Sequence, residues 1–353
     1  MMLANPYLAT PEQAIRFYRF FPNRLIETKC VVSLLRNIKA IAKSYVWLWL
    51  CVVVFLTGCQ SPAPEADLAA IASGGQHPRA YLEDVESRVL TSAITGRDYT
   101  ISVALPLGYG DSTKTYPVLY AQDANGQFGT VVETARILRI GPKQIPQLII
   151  VGIGYPYGGR QYNAGPHRII DMFPTLEYEW IEMVKPNWPE PIPSYEAGGA
   201  YEFLRFLREE LFPLIEEEYR ADPSDRAIYG HSGGGYFGLF SLFEGDGAFQ
   251  RAIVGSPSLW WGDFHMFELE ESYAQANRAF PARVFFSVGL EEEGEGYEKY
   301  KMVTALHRLT EILERRQYEG LEWQQHYFED ENHQSVVAPT ISRGLRYIYG
   351  GMD

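Results

Sequence analysis

Six consecutive residues, Gly230-His231-Ser232-Gly233-Gly234-Gly235, have the composition and spacing to hold a nucleophile. Arg226-Ala227-Ile228-Tyr229 before them reads as a short buried strand. Tyr236 to Phe243 after them reads as an apolar helix. A serine on so sharp a strand-to-helix turn is pushed into a strained conformation with its Oγ exposed, and only small neighbours fit around it. Ser232 is therefore the candidate covalent catalyst.

A serine hydroxyl is a poor nucleophile near neutral pH. It needs a histidine base, and the imidazole needs an acid to fix its tautomer and stabilise the imidazolium. With a strand-turn-helix nucleophile the expected chain order is Ser, acid, His, with the last two on loops after later strands. His333 fits, in the loop Glu329-Asp330-Glu331-Asn332-His333-Gln334-Ser335 after the apolar run Trp323–Phe328. The other histidines fit less well: His231 is inside the turn, His326 within a strand, His307 on a helix, and His265 follows no candidate strand. The acid falls among Glu291, Glu292 and Glu293, which follow the strand Val284–Val288 and Gly289; spacing alone does not choose between them. Acyl transfer also needs two backbone N–H donors for the oxyanion. Gly233 is the first. Ala124 or Asn125, in Gln122-Asp123-Ala124-Asn125-Gly126 after the third strand, is the second.

The elements that must position these groups follow from the hydrophobic pattern. Ser87–Ser92 and Asp98–Leu105 alternate apolar and polar, as an antiparallel pair with one wet face does. Pro117–Tyr120, Leu148–Val151, Ala227–Tyr229 and Arg251–Val254 are compact apolar runs typical of strands buried on both faces; Val284–Val288 and Trp323–Phe328 bring the strands to eight. Helical periodicity fills Ala200–Tyr219, Tyr297–Arg316 and Pro339–Ile348. Such alternation predicts one catalytic domain over 80–353, a mostly parallel eight-stranded sheet with helices on both faces, the α/β-hydrolase fold. The segment 155–199 breaks the pattern: rich in Pro, Tyr and Gly, and following the carboxyl end of a central strand, it is expected to be a substrate-binding flap.

Charge is unevenly placed. Residues 1–58 hold 7 Lys/Arg and 2 Glu, leaving 24 bases and 42 acids for the rest, a net of −18. So acidic a body repels phosphate backbones, which excludes nucleic-acid binding as an expectation. In the basic front end, Lys39 and Lys43 precede the apolar run Tyr45–Phe55 and Leu56-Thr57-Gly58-Cys59, the layout of an export signal. L-T-G-C resembles the bacterial lipobox, which implies cleavage before Cys59 and its lipidation. The expectation is a leader and lipoprotein signal over 1–58, a lipidated tether over 59–79, and a domain held on a bacterial membrane, facing the periplasm or the outside. Gln60, rather than Asp, favours the outer membrane. The absence of Met between Met2 and the apolar run suggests translation starting near Val31 or Val32. The three cysteines, Cys30, Cys51 and Cys59, all precede the domain, so no disulfide is expected in it. The 7 histidines show no H-x-x-H spacing, and neither a catalytic metal nor a cofactor is expected.

With these residues in view, the chain resembles the putative-esterase family of α/β-hydrolases, in its siderophore-esterase-like branch, related to esterase D. The resemblance runs from about residue 86 to the C-terminus. It is carried by Tyr99–Val103 with Leu105-Pro106, Pro117–Tyr120, Val151–Tyr155, Arg168–Asp171, Glu210–Ile215, the Ser232 turn and Ser256-Pro257-Ser258-Leu259-Trp260-Trp261. It implies Glu292 as the acid, at the third position after Gly289, and His333 as the base. It also implies a pocket lined by Trp260 and Trp261. Arg168, as a local base for an anionic ester, and Asn125 are candidate substrate contacts. Two departures stand out: Gly233 replaces the bulky residue usual after the serine, and Asp123-Ala124 replaces Asp-Gly. The family implies a serine-dependent carboxylic ester hydrolase for a small-molecule ester, foremost a catecholate lactone of siderophore type. The alternatives are a carbohydrate-directed acetyl or feruloyl esterase, an acyltransferase, and a binding lipoprotein without chemistry.

Overall fold

In the computed structural model, residues 82–156, 165–187 and 198–351 are described. The expected leader, signal and tether, with Cys59, lie outside the described residues.

The strands are β1 (Val85–Thr91), β2 (Asp98–Ala104), β3 (Tyr116–Ala121), β4 (Ile149–Gly154), β5 (Ala221–His231), β6 (Arg251–Gly255), β7 (Ala279–Gly289) and β8 (Glu319–Phe328). They form one sheet in the order β1-β2-β4-β3-β5-β6-β7-β8. β1 and β2 pair antiparallel, as their alternation predicts, and β2 joins β4 antiparallel. The remaining pairs are parallel. The pairing register sets His231 beside Gly255 and Gly289 beside Phe328, so the carboxyl ends of β5 to β8 lie along one edge. Loops leaving that edge meet, which is why residues far apart in sequence share a site.

The helices are α1 (Ala124–Ile137), α2 (Gly165–Met172), α3 (Tyr178–Val184), α4 (Ala200–Phe206), α5 (Phe212–Glu218), α6 (Gly233–Glu244), α7 (Trp261–Ala276), α8 (Met302–Arg316) and α9 (Val337–Tyr349). They cover both faces of the sheet. On β3, Val118 and Tyr120 join the core beneath α4, α6 and α8, while Leu119 and Ala121 join the core beneath α1 and α9. Gly233 to Phe243 of α6 are all buried, which explains why that stretch is apolar on every side.

Two boundaries differ from the periodicity. The expected helix Ala200–Tyr219 is interrupted by a π-helical turn at Leu207–Leu211 between α4 and α5. Pro213 has no N–H for the carbonyl four residues earlier, and the wider turn relieves its ring's clash there. The helix expected from Tyr297 starts at Met302, after a 3₁₀ turn at Glu298–Tyr300 and a left-handed Lys301. The described part of 155–199 contains α2 and α3, each too short for a helical period to emerge.

Candidate active site

β5 delivers Ser232 onto α6 with φ 62° and ψ −120°, a strained geometry for a residue with a side chain. The turn is tight enough to dictate its glycines. A Cβ on Gly230 would lie 2.0 Å from the carbonyl oxygen of Gly234, and one on Gly235 would lie 2.5 Å from that of Gly255. Ser232 is fixed by its N–H to the Gly255 carbonyl (2.9 Å) and by its own carbonyl accepting from Tyr236 N–H (2.9 Å). Gly233 opens α6, so its N–H has no intrahelical acceptor and stays available.

The three candidate acids are sorted by their surroundings. Glu292, 4% exposed in the turn after β7, places Oε2 2.5 Å from His333 Nδ1. Its Oε1 accepts from Ser256 Oγ (2.6 Å) and Gly289 N–H (2.7 Å). Glu293 turns away to accept from the N–H and Oγ1 of Thr304, both at 2.7 Å, at the start of α8; these bonds and Lys301 hold its carboxyl below its usual range against the upward push of burial. Glu291 is exposed on the wall of the neighbouring cavity.

His333 is also held through its backbone. Its carbonyl accepts from His231 Nε2 at 2.8 Å, and the two rings lie 4.6 Å apart. Burial, foremost, and the neighbouring His333 push the His231 pKa well below its ordinary value. The Ser232 hydroxyl meets Ser258 Oγ at 3.3 Å.

Ser232, Gly233 and His333 open onto a cavity of about 650 Å³. Trp180, Trp260, Trp261, Tyr297 and Tyr300 supply most of its aromatic wall, with Phe173 beneath. Phe173 stacks on Trp261 with ring centroids 3.9 Å apart, Trp180 packs against both tryptophans, and Trp260 meets Tyr300 at 4.9 Å. Trp261 donates its indole N–H to the Thr175 carbonyl (2.9 Å), pinning the 165–187 segment over the site. Trp260 and Trp261 are thus brought to the pocket.

Arg168 also lines the cavity, but its charge is committed. Nε and Nη2 donate to the two carboxylate oxygens of buried Asp123, at 2.7 and 2.9 Å. That bidentate pair ties α2 to the residue before α1 and leaves Nη1 beside Gly233. Asn125 is not on the cavity wall: its side chain donates to the Tyr155 carbonyl and accepts from Tyr155 N–H, both at 2.7 Å. Both ends of its amide are thus consumed in clamping β4 to the Asp123 loop. Ala124 does not line the cavity either; its N–H opens α1 without an intrahelical partner.

Ser256, Ser258 and His231 were not singled out for roles by their spacing. The signal for the two serines was their position directly after β6, at the edge where the other site loops emerge. His231 carried no such signal, since any residue type is compatible with the variable position of G-x-S-x-G.

The sequence model of the family described as putative esterase matches residues 92–346. The ferri-bacillibactin esterase BesA of Bacillus subtilis is 32% identical over 282 residues, covering 78% of this chain and 93% of that protein. A siderophore enterobactin esterase of Emericella nidulans is 27% identical over 277 residues, 71% of this chain and 89% of that one. The crystal structure of the BES protein from Bacillus cereus superposes with a TM-score of 0.65 at 31% identity, covering 78% of this chain and 98% of that one. The sheet order, the strained serine after β5 and this match over most of the domain agree, and the chain is an α/β-hydrolase belonging to the putative esterase family, whose members hydrolyse esters.

Proposed function

We propose that the protein is a serine esterase in which Ser232, His333 and Glu292 form the catalytic triad. The observation that carries this reading is the buried Glu292 carboxylate on His333 Nδ1, with Ser232 opening onto the same cavity. Ser232 Oγ leaves Ser258 and attacks the ester carbonyl, giving its proton to His333 Nε2. The tetrahedral oxyanion is met by the N–H of Gly233, which opens α6 on the cavity wall, a turn flanked by the Arg168–Asp123 pair. Collapse expels the alkoxide, which takes the proton from His333, and an acyl-Ser232 ester remains. Water then attacks that ester with His333 as base, releasing the acid and restoring Ser232. Glu292 stays ionised throughout and stabilises the imidazolium.

The substrate class proposed is a siderophore-type ester, on two supports. The ferri-bacillibactin esterase and the enterobactin esterase named above carry that activity in their names. The aromatic cavity suits catechol rings, which stack on Trp and Tyr. The charge of the mouth refines the reading toward the iron-free ester. Glu291 and Glu295 stand on the wall with no ion pair among the described residues, while the wall's Arg168 is neutralised by Asp123. A ferric tris-catecholate is strongly anionic and meets repulsion there, whereas the metal-free lactone is not.

The proposed location is the periplasmic or outer face of a bacterial membrane, through acyl chains on Cys59, supported by the basic flank, the apolar run and L-T-G-C. Release of a Cys59→Ser variant from the membrane fraction tests it. For the chemistry, the test is turnover and fluorophosphonate labelling of the domain and of Ser232→Ala. The expected result is loss of both in a variant that still melts cooperatively; a Ser232→Ala protein with wild-type turnover ends the proposal.

A further inference from the structure

His231 occupies the variable position of the nucleophile motif, yet it has the geometry of a working part. It is 5% exposed, and Nε2 reaches the carbonyl oxygen of His333 at 2.8 Å. A carbonyl only accepts, so the hydrogen bond puts the proton on Nε2 and leaves Nδ1 bare. Nδ1 is buried, faces Gly255 and has no hydrogen-bond partner among the described residues. A second proton there would have no acceptor. The ring also packs on the His333 imidazole, centroids 4.6 Å apart and planes tilted by 42°.

We infer that His231 is a positioning residue: its Nε2–H bond to the His333 carbonyl, with the ring contact, fixes the acid–base loop to the nucleophile turn. The two catalytic groups sit on separate strands, Ser232 at the end of β5 and His333 in the loop after β8, with β6 and β7 between them. Glu292 holds the far side of the His333 ring but makes no bond to the nucleophile strand. His231 supplies that link, because it precedes Ser232 in the chain and grips the backbone of His333. Its environment also keeps it from competing for protons. Burial foremost, and the neighbouring His333 imidazole, disfavour a positive charge on His231 and outweigh the His333 carbonyl that would favour it, so His231 stays neutral while His333 becomes imidazolium. The inference rests on His333 being the proton carrier.

The test compares His231→Leu, which fills the space without a donor, with His231→Gln, whose amide N–H reaches roughly where Nε2 lies. In the Leu variant kcat for p-nitrophenyl acetate and the rate of fluorophosphonate labelling are expected to fall together, by about 10- to 100-fold, as for a small misplacement of a catalytic group. KM is expected to hold. The Gln variant is expected to recover most of the loss. Leu within twofold of wild type, or Gln no better than a folded Leu variant, overturns the inference. His333→Ala is the control: if it retains turnover, the triad reading itself has failed, which is a different result from a silent His231.

A measurement on the unmodified chain covers the case in which Leu does not fold. In ¹⁵N-histidine-labelled protein, the resonance lost in His231→Gln should show the neutral Nε2–H form from pH 5.5 to 8. It should keep that form after phosphonylation of Ser232 drives His333 to imidazolium. An Nδ1–H tautomer, or protonation of His231 in the adduct, overturns the inference.

Discussion

Glu292 Oε2 lies 2.5 Å from His333 Nδ1, and the two ends of that contact sit in different surroundings: the carboxylate side chain is 1% exposed and the imidazole 31%. Such an arrangement keeps the carboxylate dry and fixed while the imidazole stays open to the cavity. A charge-assisted bond of this kind sets the tautomer that frees Nε2 to accept a proton. Replacing Glu292 by Gln preserves shape but removes the charge and favours the wrong tautomer. Loss of roughly 10²- to 10⁴-fold in kcat is expected, in line with carboxamide substitutions in comparable triads. Glu293→Gln is the contrast: kcat holds, and thermal stability falls by about 1 kcal/mol as the cap on Thr304 weakens. Steady-state kinetics and melting of the two variants decide the matter.

Ser256 holds the other side of the same carboxylate. Its hydroxyl donates to Glu292 Oε1 at 2.6 Å in a buried setting. Ser256→Ala leaves that oxygen with Gly289 N–H alone. Removal of a hydrogen bond to a charged group costs about 1.5–3 kcal/mol. A drop in kcat/KM of roughly 10-fold is expected, with the Glu292→Gln Ser256→Ala double variant no worse than Glu292→Gln alone. Additive losses would show that Ser256 acts elsewhere.

Stability should depend on pH through His231. Its folded pKa is depressed, so the folded state resists a proton that the unfolded chain accepts below pH of about 6.5. The contribution is complete above that pH and is lost as pH falls, by at most about 1.4 kcal/mol per pH unit. Asp171 works in the opposite direction: burial, set against Arg97, pushes its carboxyl up to about 6, so its contribution favours low pH and is lost as pH rises through about 6. The difference between wild type and His231→Gln isolates the histidine. Wild type should lose more stability than the variant between pH 7 and pH 5 in urea titrations, and parallel losses would contradict the assignment.

Discrimination by substrate charge gives a further prediction. With Glu291 and Glu295 on the cavity wall and without an ion pair among the described residues, the iron-free catecholate lactone should be cleaved with a kcat/KM about 10-fold or more above that of its ferric complex at low salt. The Glu291→Lys Glu295→Lys variant should narrow the gap by raising turnover of the ferric form, and added salt should narrow it in wild type. A ferric tris-hydroxamate ester, whose charges cancel, should show no response to the double substitution. Preference of the wild-type enzyme for the ferric catecholate would refute the charge argument.

Much of this protein was decided by local sequence. Short apolar runs of four or five residues between turn residues read as strands buried on both faces, and a serine among glycines between a strand and an apolar helix reads as a sharp turn. Those constraints act within about ten residues, so the sheet class and the sharp turn that carries Ser232 were legible in the chain. Relations between loops were not. Three adjacent glutamates are equivalent in sequence; they differ because β7 and β8 pair in a register that brings His333 over Glu292, while Thr304 captures Glu293 and Glu291 faces open space. Likewise Asn125 has the polarity to meet a substrate, and only the approach of β4 shows both ends of its amide engaged by Tyr155. Arg168 has the charge to attract an anion, and only the fold shows that charge cancelled by Asp123. Local pattern determined which groups could do chemistry. Tertiary structure decided which were left free to do it, because a polar group's availability depends on partners brought near by distant parts of the chain.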